Sequence, residues 1–211
     1  MQSPDIWQLM ARIPHPDQPF VTVVSPDGRV ELSGRTLGNG VAKAANAFRD
    51  VLDTEPGDSV VVDLGWTWQQ SVWQGAALIA GLQLVGGTTE ADVHITPALI
   101  STHPLGLPTG AKTEITQDVL GQPDSWMYPE FFPEQHSLID STREWAAAQK
   151  VGTSERIAIV TAETNINGAY FFGPFLLPLV TQGSVVFINS ESPEYIDSMV
   201  DQEKVTRLLR P

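Results

Sequence analysis

The chain has 211 residues, 42% of them hydrophobic, which is enough apolar material for one sizeable α/β core or for two half-size lobes. It has no cysteine, which excludes disulfides, thiolate nucleophiles and cysteine-ligated zinc or iron–sulfur sites and fits a reducing cytoplasm. Twenty-five acidic against twelve basic residues give a net charge of -13, which repels nucleic-acid phosphates and anionic membranes unless basic groups are gathered in one place; none is visible along the chain.

The N-terminal stretch MQSPDIWQLMARIPHPDQPF lacks a basic start and a continuous apolar run, so it does not read as a secretory signal. The longest apolar run, YFFGPFLLPLV at 170–180, is too short to span a bilayer. A cytoplasmic protein with no nucleic-acid or membrane partner is therefore expected.

FVTVVSPDGRVELSG reads as a hairpin turning at Pro26, Asp27 and Gly28. A helix is predicted from about Thr36, with Leu37, Val41, Ala44, Ala45, Phe48, Val51 and Leu52 on its apolar face and Lys43, Arg49 and Asp50 left for solvent. SVVVDL at 59–64 reads as a buried strand, TWQQSVWQGAALIAG as a helix buried almost all round, and LQLVGG and ADVHITP as further strands. From 97 to 134 the prolines rule out long regular elements and predict a loop-rich connector with few ladder hydrogen bonds and little burial. Regularity returns with a helix near 137–150, the strand RIAIVTA, a buried helix through FFGPFLLPLV, the strand SVVFIN, a helix capped by Ser192 with Pro193 at its first position, and a final VTRLL strand. Strands alternating with helices imply an α/β fold, a mostly parallel sheet with helices on both faces. The expected organisation is a single domain, 1–211, with sub-lobes 1–96 and 135–211 about the connector 97–134.

Two stretches carry a family resemblance. Residues 31–87, with Thr36-Leu37, the turn Pro56-Gly57-Asp58 and GAALIAGLQLV, resemble the opening of the N-terminal domain of the adenylate-forming superfamily, which includes acyl-CoA synthetases, peptide adenylation domains and luciferases. Residues 168–211, with GPFLLPLVTQGSVVFIN and PEYIDSMVDQEKVTRLLRP, are similar to a later segment of the same domain. Short actinobacterial proteins distantly similar to AMP-binding enzymes resemble this pattern too, and with them the resemblance implies a fold and no reaction.

The superfamily's phosphate loop, rich in Ser, Thr and Gly and ending in Pro-Lys-Gly, belongs by chain order at SWMYPEFFPEQ, residues 125–135, which has no glycine, no lysine and two glutamates. STHPLGLPTGAK at 101–112 contains Gly106, Gly110 and Lys112 but lies too far ahead, and Pro104 and Pro108 remove N–H groups; it reads as a connecting loop. Gly87-Thr88-Thr89-Glu90 mimics an adenine-site motif out of place and reads as a turn. Against the superfamily, the chain stops at Pro211 before the ribose-binding aspartate, the hinge and the domain carrying the catalytic lysine. The resemblance thus implies a truncated relative with no catalytic residue, no cofactor and no metal.

Other chemistry has thin support. Asp92, His94 and His103 could ligate a metal or simply end a strand. Trp66, Trp68 and Trp73 could line an acyl pocket or be core. Asn165, Asn167, Tyr170 and Phe171 occupy the region of the superfamily's acyl pocket, so a remnant pocket for a small acyl ligand is expected there if anywhere. Three readings stay open: a non-catalytic binding or interaction module, a small-molecule binder or different enzyme reusing a remnant cleft, and a regulatory partner of a full-length acyl-activating enzyme. A homodimer is also expected, because the last strand would present an open edge and the helix through Phe171, Phe172, Phe175, Leu176, Leu177 and Leu179 carries more apolar surface than one sheet face covers.

Overall fold

The structure is a computed structural model describing residues 4–86, 90–128, 130, 132–161 and 168–209. In chain order the elements are α1 (Ile6–Met10), β1 (Pro19–Ser25), β2 (Gly28–Ser33), α2 (Gly34–Asp50), β3 (Ser59–Val62), α3 (Trp68–Ile79), β4 (Gln83–Leu84) and β5 (Val93–Ile95). Then follow α4 (Thr116–Leu120), α5 (Glu134–Ala148), β6 (Arg156–Val160), α6 (Ala169–Phe172), α7 (Leu176–Thr181), β7 (Ser184–Ile188), α8 (Pro193–Gln202) and β8 (Arg207–Leu209). The chain forms two compact units: residues 1–35 with 133–211, and residues 36–132.

The first unit is built on a five-stranded sheet of order β2-β1-β7-β6-β8, in which only the β1–β2 hairpin is antiparallel. Hydrogen bonding of Val21–Val24 to Val185–Ile188 draws the N-terminal hairpin into the C-terminal sheet, whereas the sequence groups it with residues up to 96. Alternation along the strands sends Val24, Ala158, Val160, Val186 and Ile188 to one face, where Ile196, Tyr195 and Met199 of α8 cover them. Ile157, Ile159, Val185 and Phe187, equally buried, point the other way. A Cβ on Gly173 would stand 2.6 Å from Ile159 Cδ1, which places the α6–α7 junction directly over that second face. Helices thus lie on both faces of a mostly parallel sheet.

Several local differences from the sequence reading have physical causes. The predicted single helix through FFGPFLLPLV is two short helices, α6 and α7, because Gly173 and Pro174 interrupt the hydrogen-bond ladder. Of the six residues expected to offer apolar surface to a second copy, Phe175, Leu176, Leu177 and Leu179 are buried and Phe171 and Phe172 are half-buried. Five-residue α1, capped by Asp5 accepting from Gln8 N, is too short to show a helical period; Ile6 N donates to Gln135 Oε1 of α5 at 3.0 Å. Gly183 is fixed by close approach: a Cβ there would lie 2.2 Å from Glu155 O.

The second unit has a three-stranded parallel sheet, β4-β3-β5, and is held together largely by side chains. α3 buries all but its first residue, Trp68. Its Gln70 closes the end of β3, accepting from Leu64 N at 2.8 Å and donating to Val62 O at 2.9 Å, while Gln69 donates to His103 O at 2.8 Å. The connector contains α4 and no strand among the described residues, and most of it is exposed as expected, with Ile100, Ser101, Thr116 and Trp126 as its buried anchors.

Candidate functional site

The start of the stretch where the sequence leads one to expect a phosphate loop, together with the residues just before it, is clamped to α2. Lys43, Asn46, Arg49 and Asp50 recur at spacings of three and four and so share one side of that helix. Lys43 Nζ donates to Leu120 O at 3.0 Å and Gln122 O at 2.6 Å and pairs with Asp124 at 2.9 Å. Asn46, fully buried, donates to Pro123 O and Ser125 O and accepts from Met127 N at 3.1 Å. The Tyr128 hydroxyl donates to Asp50 at 2.5 Å, and Arg49 reaches Glu130 at 3.3 Å. Residues read as solvent-facing thus hold a strap; the Arg49 side chain is only 11% exposed. A phosphate cradle needs convergent N–H donors and an available cation, whereas Lys43 and Arg49 here are engaged by carbonyls and carboxylates.

STHPLGLPTGAK also spends its polar groups locally. Gly106 N donates to His103 O, Leu105 N to His103 Nδ1, and Ser101 Oγ to Leu107 O. Trp68 Nε1 donates to Pro104 O at 3.0 Å, and its ring would lie 3.2 Å from a Cβ on Gly106, whose φ of +66° favours glycine. Glu114 accepts from Thr109 N and Oγ1, and the Thr109 hydroxyl, ahead of the other donors, pulls its carboxyl down to about 2. The three tryptophans diverge in role: Trp73 is core, edge-to-face with Phe48 at 5.0 Å, while Trp68 braces the loop and Trp66 is half-buried.

The other sequence candidates separate similarly. Asp92 accepts from Ser59 N and Oγ, the hydroxyl holding its carboxyl below the usual range, while His103 Nδ1 is committed to its own turn. Among the described residues no three metal-binding side chains cluster. Asn165, Asn167 and Gly87-Thr88-Thr89 lie outside the described residues. Tyr170 and Phe171 are half-buried on α6, at the carboxyl end of β6, where Phe172 meets Phe171 edge-to-face at 5.0 Å and Trp145 at a tilt at 5.5 Å.

The opposite, amino end of the same sheet opens into a cavity of about 560 Å³ that sequence reasoning did not find. Arg156, the first residue of β6, stands on its wall and donates to Glu203 Oε2 at 2.5 Å, Glu203 O at 2.6 Å, Thr22 Oγ1 at 3.1 Å and Ser184 Oγ at 3.2 Å. Glu203, 9% exposed in its side chain, also takes Arg29 Nε at 2.6 Å; Arg29 foremost, then Arg156, keeps its carboxyl below the usual range against the opposing effect of burial. His15, Gln18, Ser154, Gln182 and Lys204 complete the polar part of the wall. The only advance signal was an arginine opening an otherwise apolar strand.

No protein-family model matches the sequence, and no curated protein is significantly similar to it. Solved structures do match. Fatty acid AMP ligase from Legionella pneumophila superposes with a TM-score of 0.73 at 13% identity, over 100% of this chain and 44% of that one. Mycobacterium tuberculosis fatty acyl CoA synthetase gives 0.71 at 10% identity, over 95% and 48%. The Klebsiella oxytoca NpsA N-terminal subdomain, in complex with 3-hydroxybenzoyl-AMSN, gives 0.68 at 13%, over 98% and 60%. The chain spans less than two thirds of each of these structures. At such identities the likeness is one of fold: that of the N-terminal domain of adenylate-forming enzymes, as the packing motifs at 31–87 and 168–211 imply. No described helix is long and apolar enough to cross a membrane.

Proposed function

We propose that the protein is a non-catalytic binding or interaction module on the adenylate-forming N-terminal fold. The observation carrying this reading is the strap at 122–130, whose described carbonyls and carboxylates bond to α2 and engage Lys43 and Arg49, the basic side chains that touch it. Adenylation draws its rate from phosphates held by preorganised donors and cations, and the matched segment commits both kinds of group elsewhere. The test is ATP–pyrophosphate exchange with a panel of carboxylic acids. Exchange at the level of a no-protein control is expected; exchange above it with any acid overturns the reading.

Self-association is a second reading with one observation in its favour: β8 is the edge of its sheet, and among the described residues no strand pairs with its outer side. Sedimentation velocity across a concentration series in physiological salt checks it, a strict monomer at the highest concentration counting against a homodimer.

A further inference from the structure

We propose that the cavity at the amino end of the five-stranded sheet binds a small amphipathic anion, a carboxylate or phosphate monoester head on a short apolar group. Charge is the first ground. The cavity and the recess beside it are lined by Arg12, Arg156, Lys204 and His15 and by one acidic residue, Glu203, in a chain with twenty-five acidic and twelve basic residues. Glu203 is already matched by Arg29 and Arg156, so Arg12 and Lys204 leave an uncompensated positive rim. Residues from three distant parts of the sequence, 12 and 15, 156, and 204, meet here because β1 pairs with β7, β7 with β6 and β6 with β8.

Shape is the second ground. The main cavity shares Ile13, Pro14, Phe20, Gln182 and Gly183 with a recess of about 120 Å³ that Leu9, Pro178 and Leu179 close. A polar mouth running into an apolar recess suits a ligand with a charged head and an apolar tail better than a bare ion. The carboxyl ends of α7 and α8, which disfavour an anion, also face this end of the sheet. At α8 that effect is offset by Arg156, whose Nε donates to Glu203 O, so Lys204, in the left-handed position just past the helix, keeps its charge for the cavity. The inference concerns a different unit from the strap and stands whether or not ATP is bound.

The full chain, labelled with ¹⁵N, is titrated with hexanoate, hexyl phosphate, hexylammonium and inorganic phosphate while the amides of Gly183, Ser184 and Lys204 are followed. Saturable shifts with at least one of the two hexyl anions are expected, and which of them binds more tightly identifies the head group. Inorganic phosphate should bind about tenfold more weakly than the better anion, and the double variant Arg12→Gln, Lys204→Asn should weaken that anion about tenfold. Asparagine tolerates the left-handed backbone at 204; if the double variant nevertheless melts early, Arg12→Gln alone serves. Absence of saturation with both anions, equal binding of hexylammonium, or unchanged affinity in the folded variant overturns the proposal.

Discussion

The two units hold their irregular chain by different means. In the unit 36–132, short strands carry little, and Lys43, Asn46, Arg49, Gln69 and Gln70 fasten loops by bonding directly to backbone groups. In the other unit a continuous five-strand ladder does that work, and charged side chains are released to gather at its amino end around Glu203. Buried side-chain clamps hold a loop in one place, whereas a ladder leaves strand ends free to carry a site. This difference leaves a fastened strap beside α2 in one unit and an open cavity where the ladder begins in the other.

Removing a clamp should therefore cost more than removing a charge. Asn46→Ala deletes three hydrogen bonds from a fully buried amide and strands the strap's carbonyls, so urea unfolding of the second unit should lose about 3 kcal/mol. A loss below about 1 kcal/mol would mean that the strap is not held by α2. Glu203→Gln leaves Arg156 with a weakened partner at a largely buried spot on the cavity wall, and about 2 kcal/mol should be lost from the first unit alone. Equal loss in both units would erase the contrast.

The smallest effect is one of pH. Because the folded Glu114 carboxyl sits near 2 rather than 4.5, its contribution is fully present above about 4.5 and is lost as pH falls through about 2. Amide signals of Thr109 and Ala111 should move in that window, and Thr109→Ala should shift the transition upward toward the ordinary glutamate value. A wild-type transition already at the ordinary value would contradict the Thr109 bond.

Long periodic segments were legible in the sequence. The hairpin, α2, α3, the Ser192 cap and the parallel strands follow from spacing and turn chemistry alone, and the resemblance at 31–87 and 168–211 gave the fold. What escaped was any feature whose cause lies across the fold. Lys43 and Arg49 look solvent-facing because hydropathy cannot tell a water-exposed polar side chain from one bonded to a distant carbonyl. The break between α6 and α7 was written in Gly173-Pro174, but the surrounding apolar run outweighed it. The basic wall of the cavity had no linear signal, since residues 12, 15, 156 and 204 become neighbours only through the order of strands.

The strap is best tested by titrating magnesium–ATP into the ¹⁵N-labelled full chain and following the amides of Ser125, Met127 and Glu130. With Met127 N held by Asn46 and both nearby cations engaged, these signals should stay in place to millimolar nucleotide. A saturable shift of Met127 would show that the segment releases α2 to cradle phosphate, and would return the protein to the nucleotide-binding members of its fold.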